Sequence, residues 1–251
     1  MKRDEAYNQK FYERRRELTI HSARTILQLL GSWNQIRSVV DVGCGTGTWL
    51  TVAKSLGAQR LVGYEGGWVN QGMLDDQSIE LRNINFEDSM PSDSDLFDLV
   101  ISLEVAEHLT SDRASAFVQS LCRLGPLVMF SAAVPMQGGR KHLNEQWQSY
   151  WARLFQANGF FAIDFVRPKI WNEESIPFYY RQNTILYANA EHAVFGAKTF
   201  PIKHIQILDL VHPILLEKVK NEELGVKESL RAAFSLPRLL YAAIHRRIAT
   251  G

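Results

Sequence analysis

The stretch VVDVGCGTGTWL, residues 39–50, joins a run of β-branched residues to a helical segment through a loop with glycine at alternate positions. Gly43, Gly45 and Gly47 allow a tight turn and let a ligand approach the amides at the start of the helix, with Cys44 between two of them. A dinucleotide fingerprint would need a glycine directly after the third one, where this chain has threonine. The stretch therefore predicts the first strand and helix of an α/β sheet with a ligand at their junction.

Acidic and aromatic residues around this loop indicate which ligand it takes. Asp41 precedes the glycines, and a carboxylate there suits an ammonium or sulfonium better than a pyrophosphate. Glu65 ends the next apolar run, where it can accept hydrogen bonds from both hydroxyls of a ribose. Trp68 either packs against an adenine or belongs to the core, and Glu87 and Asp88 follow the next strand position, where the adenine edge is read. These features predict S-adenosylmethionine as the ligand.

Apolar runs alternate with helical patterns along most of the chain. A helix is expected over 5–30 because apolar residues recur at helical spacing and a glycine follows. Strands are expected over 38–43, 60–65, 97–104, 126–135, 160–166 and 183–188, and further helices over 48–56, 111–123 and 144–157. This alternation is typical of a doubly wound α/β sheet.

Four motifs carry a resemblance to a known family: VVDVGCGTGTWL, GYEGGWV, FDLVISLEVAEHL, and SAAVP followed by HLNEQWQSYW. Over residues 38–188 the chain resembles the class I (Rossmann-like) S-adenosylmethionine-dependent methyltransferases, within them a bacterial and viral group with EVAEHL and HxNEQWxxYW motifs. The resemblance implies a doubly wound Rossmann-like sheet of about seven strands with a final antiparallel strand. It also implies S-adenosylmethionine at the carboxyl ends of the strands. Glu65 stands where the family usually carries aspartate, and Glu87-Asp88 where it often carries Asp-Leu.

The segment SLEVAEHL, residues 102–109, supplies candidate catalytic residues. Glu104, Glu107 and His108 follow the fourth strand, at the edge of the sheet where the ligand is expected. Their ExxEH spacing resembles that of ubiquinone-biosynthesis O-methyltransferases, in which such residues can hold a divalent metal. We favour the alternative that Glu107 and His108 cap and orient a helix, so no metal is expected, and Glu104 lines the site.

The segment RKHLNEQWQSYW, residues 140–151, combines a predicted helix start with one further candidate. Asn144 has the chemistry of an N-cap and Glu145 suits the positive end of the helix dipole. His142 precedes the cap and follows the fifth strand, so it is either structural or a general base. The predicted helix would turn four residues to the core (Trp147, Tyr150, Trp151 and Leu154), and the two preceding glycines could hinge a lid (Gly138 and Gly139).

Composition limits the partners and the setting. With Lys+Arg 28 and Asp+Glu 27 the formal charge is +1, so no basic field favours nucleic acid as a partner. Two cysteines make no disulfide framework, and no segment reads as a signal peptide or membrane span, which leads us to expect a cytoplasmic protein. Residues 1–190 are predicted to form the methyltransferase domain and 191–251 a helical extension. Its basic last helix either packs on the core or touches an anionic membrane surface.

The expected reaction is methyl transfer to a hydroxyl, or in second place an amine, of a sugar or other small metabolite. The acceptor would be a small molecule or glycan, in a setting such as surface-polysaccharide or secondary-metabolite synthesis. Two alternatives remain open at this point: methylation of protein or RNA, and binding of S-adenosylmethionine without catalysis.

Overall fold

The computed structural model describes residues 9–30, 36–189, 194–195, 198–199 and 208–221, with side chains from residue 16 onward outside the short 194–195 and 198–199 strands. The chain divides into one compact unit up to Leu210 and a second from Val211 to Gly251. The candidate site and all seven strands of the main sheet belong to the first unit.

A seven-stranded sheet in the order β3-β2-β1-β4-β5-β7-β6 forms the centre of the first unit. Its first five strands in space are parallel, and β7 runs antiparallel to both β5 and β6, which confirms the predicted sheet and its final antiparallel strand. The strands are β1 Ser38–Val42, β2 Arg60–Glu65, β3 Glu80–Asn83, β4 Leu99–Leu103, β5 Leu127–Ser131, β6 Phe160–Ile163 and β7 Ile185–Asn189.

Helices cover both faces of this sheet. They are α1 Gln9–Leu29, α2 Thr48–Ser55, α3 Ala114–Leu124, α4 Gln148–Ala157, α5 Arg167–Ile170 and α6 Phe178–Asn183. Successive side chains of β1 point to opposite faces, so Val39 packs with residues of α1 and α2 whereas Val40 and Val42 pack with residues of α3 and α4. Burial on both faces explains why the strands are continuous apolar runs rather than alternating ones.

The predicted helix over 144–157 begins later than expected, at Gln148. The prediction that Asn144 is its N-cap is wrong, because the cap position is Trp147 and the Asn144 side chain accepts a hydrogen bond from Gln146 instead. Trp147 is 41% exposed, so its predicted place in the core is also wrong, whereas Trp151 is fully buried. The Asn144 backbone amide donates to the carbonyl of Glu107 at 3.0 Å, which ties this non-helical segment to the turn that follows β4.

Beyond β7 the structure describes only parts of the predicted helical extension. A short antiparallel pair, Val194–Phe195 with Lys198–Thr199, precedes a helix over 213–221. The predicted basic helix near the end of the chain lies outside the described residues. Among the helices that are described, none is both long enough and apolar enough to cross a membrane.

Candidate active site

A cavity of about 360 Å³ opens where β1, β2 and β4 end at their carboxyl edge. In an open α/β sheet this edge is the usual place for a ligand. The cavity brings together nine residues that were predicted to form the site: Asp41, Gly43, Cys44, Gly45, Glu65, Trp68, Glu104, His108 and His142.

The glycine loop has a backbone that other residues rarely adopt. Gly43, Gly45 and Gly47 have φ angles of 88°, 55° and 76°, all in the left-handed region. A β-carbon on Gly43 would come within 2.3 Å of the Val105 side chain, so a side chain is excluded there by packing as well as by conformation. Gly47 occupies the N-cap position of α2 rather than the wall of the cavity. Gly47 thus contributes to the conformation of the loop without lining the described cavity.

Glu65 is fixed by the loop that it faces. Its Oε2 accepts a hydrogen bond from the Gly45 amide and its Oε1 from the Gly66 amide, both at 2.8 Å. Burial, followed by the charge of Glu65, raises the pKa of Asp41 well above its usual range. Burial and the same two carboxylates raise the pKa of the Cys44 thiol. Burial therefore favours the neutral forms of Asp41 and Cys44, and a cationic group bound at the loop would favour the ionised carboxylate of Asp41.

Trp68 packs against the core, as one interpretation of the sequence expects, and it also lines the cavity, where its contact with an adenine stays a prediction. Its ring covers Gly66, where a β-carbon would lie 2.1 Å from the indole. The two residues that were predicted to contact the adenine, Glu87 and Asp88, do not belong to the described cavity wall. Glu87 instead accepts hydrogen bonds from the backbone amide and the hydroxyl of Thr110. The aromatic ring of Phe86 lines the cavity in their place.

Glu104 turns into the cavity from the end of β4. Its φ of 56° is unusual for a residue with a side chain, and its amide donates to the carbonyl and hydroxyl oxygens of Ser131. The side-chain amides of Gln137 and Asn183 donate to the two carboxylate oxygens at 2.8 and 3.1 Å. Burial raises the pKa of Glu104, and the hydrogen bond from Asn183 opposes this.

Glu107 and His108 lie in a single 3-10 turn, Ala106–His108. The prediction that they cap a helix is wrong, because α3 begins only at Ala114 and neither Glu107 carboxylate oxygen has a hydrogen-bond partner in the described structure. The Glu107 side chain is nevertheless completely buried. Burial, and then the charge of Glu104, raises its pKa well above the usual range.

His142 joins this turn from the loop after β5. Its ring meets that of His108 edge to face, with centroids 4.9 Å apart, and its Nδ1 lies 2.8 Å from Glu145 Oε1. The Gly138 amide also donates to Glu145, and a β-carbon on Gly139 would lie 2.1 Å from His142 Nε2. Gly138 thus helps to orient the carboxylate beside the imidazole and Gly139 leaves room for the ring, while their role as a hinge stays a prediction.

Some wall residues gave no sign in the sequence. Gln137 reaches Glu104 from the loop after β5, while Tyr179 and Tyr180 come from α6 and Arg16 and Thr19 from α1. No spacing links these positions to the glycine loop, since only the packing of α1 and α6 beside the sheet brings them there. Phe86 had a local signal, because it is the apolar neighbour of the predicted Glu87-Asp88 pair.

Comparisons with known proteins agree with this geometry. A family model described as a methyltransferase domain matches residues 12–176. A search of curated proteins gave no match. Among solved structures, Streptomyces venezuelae DesVI has a TM-score of 0.51 and 16% identity, covering 72% of this chain and 95% of that one. The mitomycin 7-O-methyltransferase MmcR has a TM-score of 0.50 and 12% identity, covering 68% of this chain and only 54% of its own length. An O-methyltransferase family protein from Burkholderia thailandensis has a TM-score of 0.51 and 13% identity, and the match covers 73% of this chain and 63% of that one.

Proposed function

The chain belongs to the methyltransferase domain family, and we propose that it transfers the methyl group of S-adenosylmethionine to a hydroxyl of a sugar or another small metabolite. One observation carries this proposal: a single cavity holds the acidic glycine loop at one side and the paired imidazoles of His108 and His142 at another. The first fits the methyl donor, and the second fits an acceptor that must lose a proton.

The donor end of the cavity has the chemistry that S-adenosylmethionine requires. Bound there, the cofactor supplies a methyl carbon that its sulfonium has already activated. Asp41 offers negative charge to the cationic part of the cofactor, and Glu65, held by the amides of Gly45 and Gly66, is oriented to accept the ribose hydroxyls. Glycine at position 45 permits the left-handed backbone and, because it has no side chain, lets the ligand approach the loop closely.

The acceptor end has groups that align a hydroxyl and receive its proton. In the transfer, a bond forms between the acceptor oxygen and the methyl carbon as the bond from that carbon to sulfur breaks. The hydroxyl proton goes to the imidazole of His142, and Glu145, 2.8 Å from Nδ1, stabilises the imidazolium that results. Glu104, held by Gln137 and Asn183, can accept a hydrogen bond from the acceptor.

The name of MmcR, an O-methyltransferase of the small molecule mitomycin, supports a small hydroxyl acceptor for this chain. The charge balance of the chain gives no support to a nucleic-acid acceptor. A setting in surface-polysaccharide or secondary-metabolite synthesis agrees with such an acceptor and is part of the proposal.

Transfer of label from S-adenosylmethionine tests the function directly. The protein is incubated with methyl-labelled cofactor and fractionated lysate, and label is followed into glycan, small-molecule, protein and RNA pools. We expect label in the small-molecule or glycan pool as a methyl ether, with loss of the signal in the His142→Ala variant. Label in protein or RNA, or as an N-methyl group, would contradict the acceptor class. Tight cofactor binding without transfer to any pool would instead indicate a non-catalytic binding protein.

A further inference from the structure

We propose that Glu104 accepts a hydrogen bond from a second hydroxyl of the acceptor, next to the one that is methylated. Gln137 and Asn183 are the positioning residues that hold the Glu104 carboxylate for this contact. The acceptor is then a vicinal diol, such as two neighbouring hydroxyls of a sugar. This assignment rests on the proposed function and narrows the class of acceptor that the same cavity takes.

The side-chain amides around Glu104 are fixed in one orientation by their own hydrogen bonds. Gln137 Nε2 lies 2.8 Å from one carboxylate oxygen of Glu104, and Asn183 Nδ2 lies 3.1 Å from the other. Gln137 Oε1 accepts hydrogen bonds from Asn183 Nδ2 at 2.9 Å and from Gln182 Nε2 at 3.3 Å. Asn183 Oδ1 accepts from Gln182 Nε2 at 3.0 Å. Turning over either amide next to Glu104 would set its oxygen against the carboxylate, so both amides donate to Glu104.

These amides belong to the interior of the protein and are anchored there. Gln137, Gln182 and Asn183 are each at most 4% exposed. The backbone carbonyl of Gln182 accepts hydrogen bonds from the side chains of Gln148 and Arg167, which ties α6 to α4 and α5. A buried network whose members bond one another is rigid. Glu104 is therefore presented to the cavity by a fixed support.

The Glu104 carboxylate keeps acceptor capacity for a ligand. A carboxylate has about four acceptor sites, and the side-chain amides of the described residues take two of them. Glu104 is half-buried and lines the cavity. Its φ of 56° costs free energy in a residue with a side chain, and such positions cluster at functional sites. A carboxylate in this place is matched by a ligand group that donates a hydrogen bond.

One loop holds both Glu104 and the imidazole that receives the proton. Gln137 donates to Glu104, and the next residue, Gly138, donates to the same Glu145 oxygen that lies 2.8 Å from His142 Nδ1. Burial raises the pKa of Glu104, and after the hydrogen bonds the charge of His142 opposes this rise, so the two groups lie within electrostatic reach. Two neighbouring hydroxyls of one molecule match two such groups on one cavity wall.

A carboxylate that accepts from the second hydroxyl also limits the product. A methyl ether or a hydrogen atom in place of that hydroxyl offers Glu104 no donor, which leaves its carboxylate desolvated and unpaired. Sites built to bond a hydroxyl reject analogues without it by up to about 10⁴-fold. The protein should therefore methylate one hydroxyl of the diol and leave the monomethyl ether as the final product.

Periodate treatment of the acceptor pools tests the diol. The small-molecule and glycan pools of a lysate are treated with periodate, which cleaves vicinal diols, and are quenched with ethylene glycol. They are then incubated with the protein and methyl-labelled S-adenosylmethionine, beside control pools that receive periodate quenched beforehand. We expect label in the control pools alone, and NMR of the product should show a free hydroxyl on the carbon next to the methyl ether. Equal label in both pools, or an adjacent carbon without a hydroxyl, would overturn the diol.

Gln137→Leu and Asn183→Leu test the support of Glu104. Each removes a hydrogen bond to a charged group, so kcat/KM for the diol should fall by about 10- to 100-fold while the affinity for S-adenosylmethionine is unchanged. The preference for the diol over its isolated monomethyl ether should also fall. In Asn183→Leu the acidic limb of kcat/KM should move to higher pH, because loss of this bond lets the pKa of Glu104 rise further. A purely structural role would move neither the preference nor the limb.

Two more variants complete the set. Gln156→Leu removes an exposed amide of α4 outside the described cavity wall, and it should keep the wild-type preference and pH profile. Glu104→Ala removes the carboxylate itself and should abolish the preference for the diol. It decides the question if both amide variants fail to fold, which circular dichroism checks.

The outcomes separate this assignment from the proposed function. Methylation of a hydroxyl that has no hydroxyl neighbour would overturn the assignment and leave the proposed function standing. A monomethyl ether that is methylated as fast as the diol would do the same, as would wild-type preference in Gln137→Leu, Asn183→Leu and Glu104→Ala. Absence of transfer to any hydroxyl would overturn the proposed function and this assignment with it.

Discussion

His142 Nδ1 lies 2.8 Å from Glu145 Oε1, three residues further along a segment that is not helical. Glu145 can reach it because its two oxygens also accept hydrogen bonds from the amides of Met136 and Gly138. Met136 has a φ of 70°, a value that a residue with a side chain rarely adopts, so the loop bends around this one carboxylate. The imidazole at the acceptor end is therefore held by the loop that delivers it.

His142→Ala should lower turnover by about 10²- to 10⁴-fold on a hydroxyl acceptor, the range for loss of a general base. The fold and the affinity for S-adenosylmethionine should persist, because the side chain lies outside the glycine loop. Steady-state kinetics with the acceptor identified by labelling measures the effect. The acidic limb of the pH–rate profile should disappear, since a protonated imidazole cannot accept a proton.

His21→Ala is the matched control for this variant, because it removes an imidazole outside the cavity wall. Its turnover should equal that of wild type. Turnover of His142→Ala within a few-fold of wild type would remove this residue from the mechanism. Attention would then move to Glu104 and His108, the other predicted catalytic residues on the same cavity wall.

Gly45→Val should abolish binding of S-adenosylmethionine, because it places a branched side chain where the ligand meets the backbone at a φ of 55°. Glu65→Ala should weaken binding by roughly 1–3 kcal/mol through the loss of charge-assisted hydrogen bonds to the ribose. It should also lower stability, since the amides of Gly45 and Gly66 lose their acceptor. Calorimetry on folded variants measures both affinities. Wild-type affinity in both variants would rule out this loop as the cofactor site.

Phe86→Ala and Glu87→Ala distinguish the structure from the sequence-based assignment of the adenine contact. Phe86 lines the cavity, so its truncation should weaken binding of S-adenosylmethionine. Glu87 is engaged by Thr110, so its truncation should leave cofactor affinity within about two-fold while removing hydrogen bonds worth about 1 kcal/mol each to stability. Phe86 also packs on Phe117, so affinity must be measured well below the unfolding temperature. The opposite ranking of affinities would restore the assignment to Glu87.

Asp41→Asn should make the protein more stable at high pH and weaken cofactor binding. Burial raises the pKa of Asp41, so the folded protein keeps a proton that the unfolded chain has already lost. The stability that this proton contributes is fully present below the pKa of Asp41 in the unfolded chain, and it is lost as the pH rises through the higher pKa of the folded protein. Asparagine cannot ionise, so the stability gap between variant and wild type should widen from pH 5 to pH 8. Urea unfolding at both pH values measures the gap, and an equal gap at both would contradict the raised pKa of Asp41.

The cofactor affinity of the same variant should fall, because a neutral amide offers no charge to a sulfonium or ammonium. Stability and binding should therefore change in opposite directions at pH 8. A group that serves binding at a cost in stability behaves in this way. A variant that gains stability and keeps full affinity would show that Asp41 does not contact the cofactor.

The sequence by itself determined the sheet and the meeting of Asp41, the glycine loop and Glu65 at one edge of it, but not the adenine contact that was assigned to Glu87 and Asp88. Both depend on local patterns: apolar runs of strand length, helical spacing between them, and glycines that must follow β1 directly. Gly43 and Gly45 lie within a few residues of Asp41, and Glu65 ends the neighbouring strand, which parallel pairing brings to the same edge. Residues at the carboxyl ends of adjacent parallel strands lie at the same edge of the sheet, so the proximity of these residues could be predicted from the strand pattern alone.

Only the tertiary structure decided the acceptor end. The sequence favoured helix capping for Asn144 and Glu107, because the N-cap rule considers only neighbours along the chain. In the folded protein the carbonyl of Glu107 accepts a hydrogen bond from the amide of Asn144, α4 begins only at Gln148, and His142 lies beside His108. These contacts join segments more than thirty residues apart, at ring and hydrogen-bond distances that no local pattern encodes. Packing of the two loops over the sheet edge therefore fixes where the imidazole of His142 lies, and in the described structure the buried carboxylate oxygens of Glu107 have no hydrogen-bond partner.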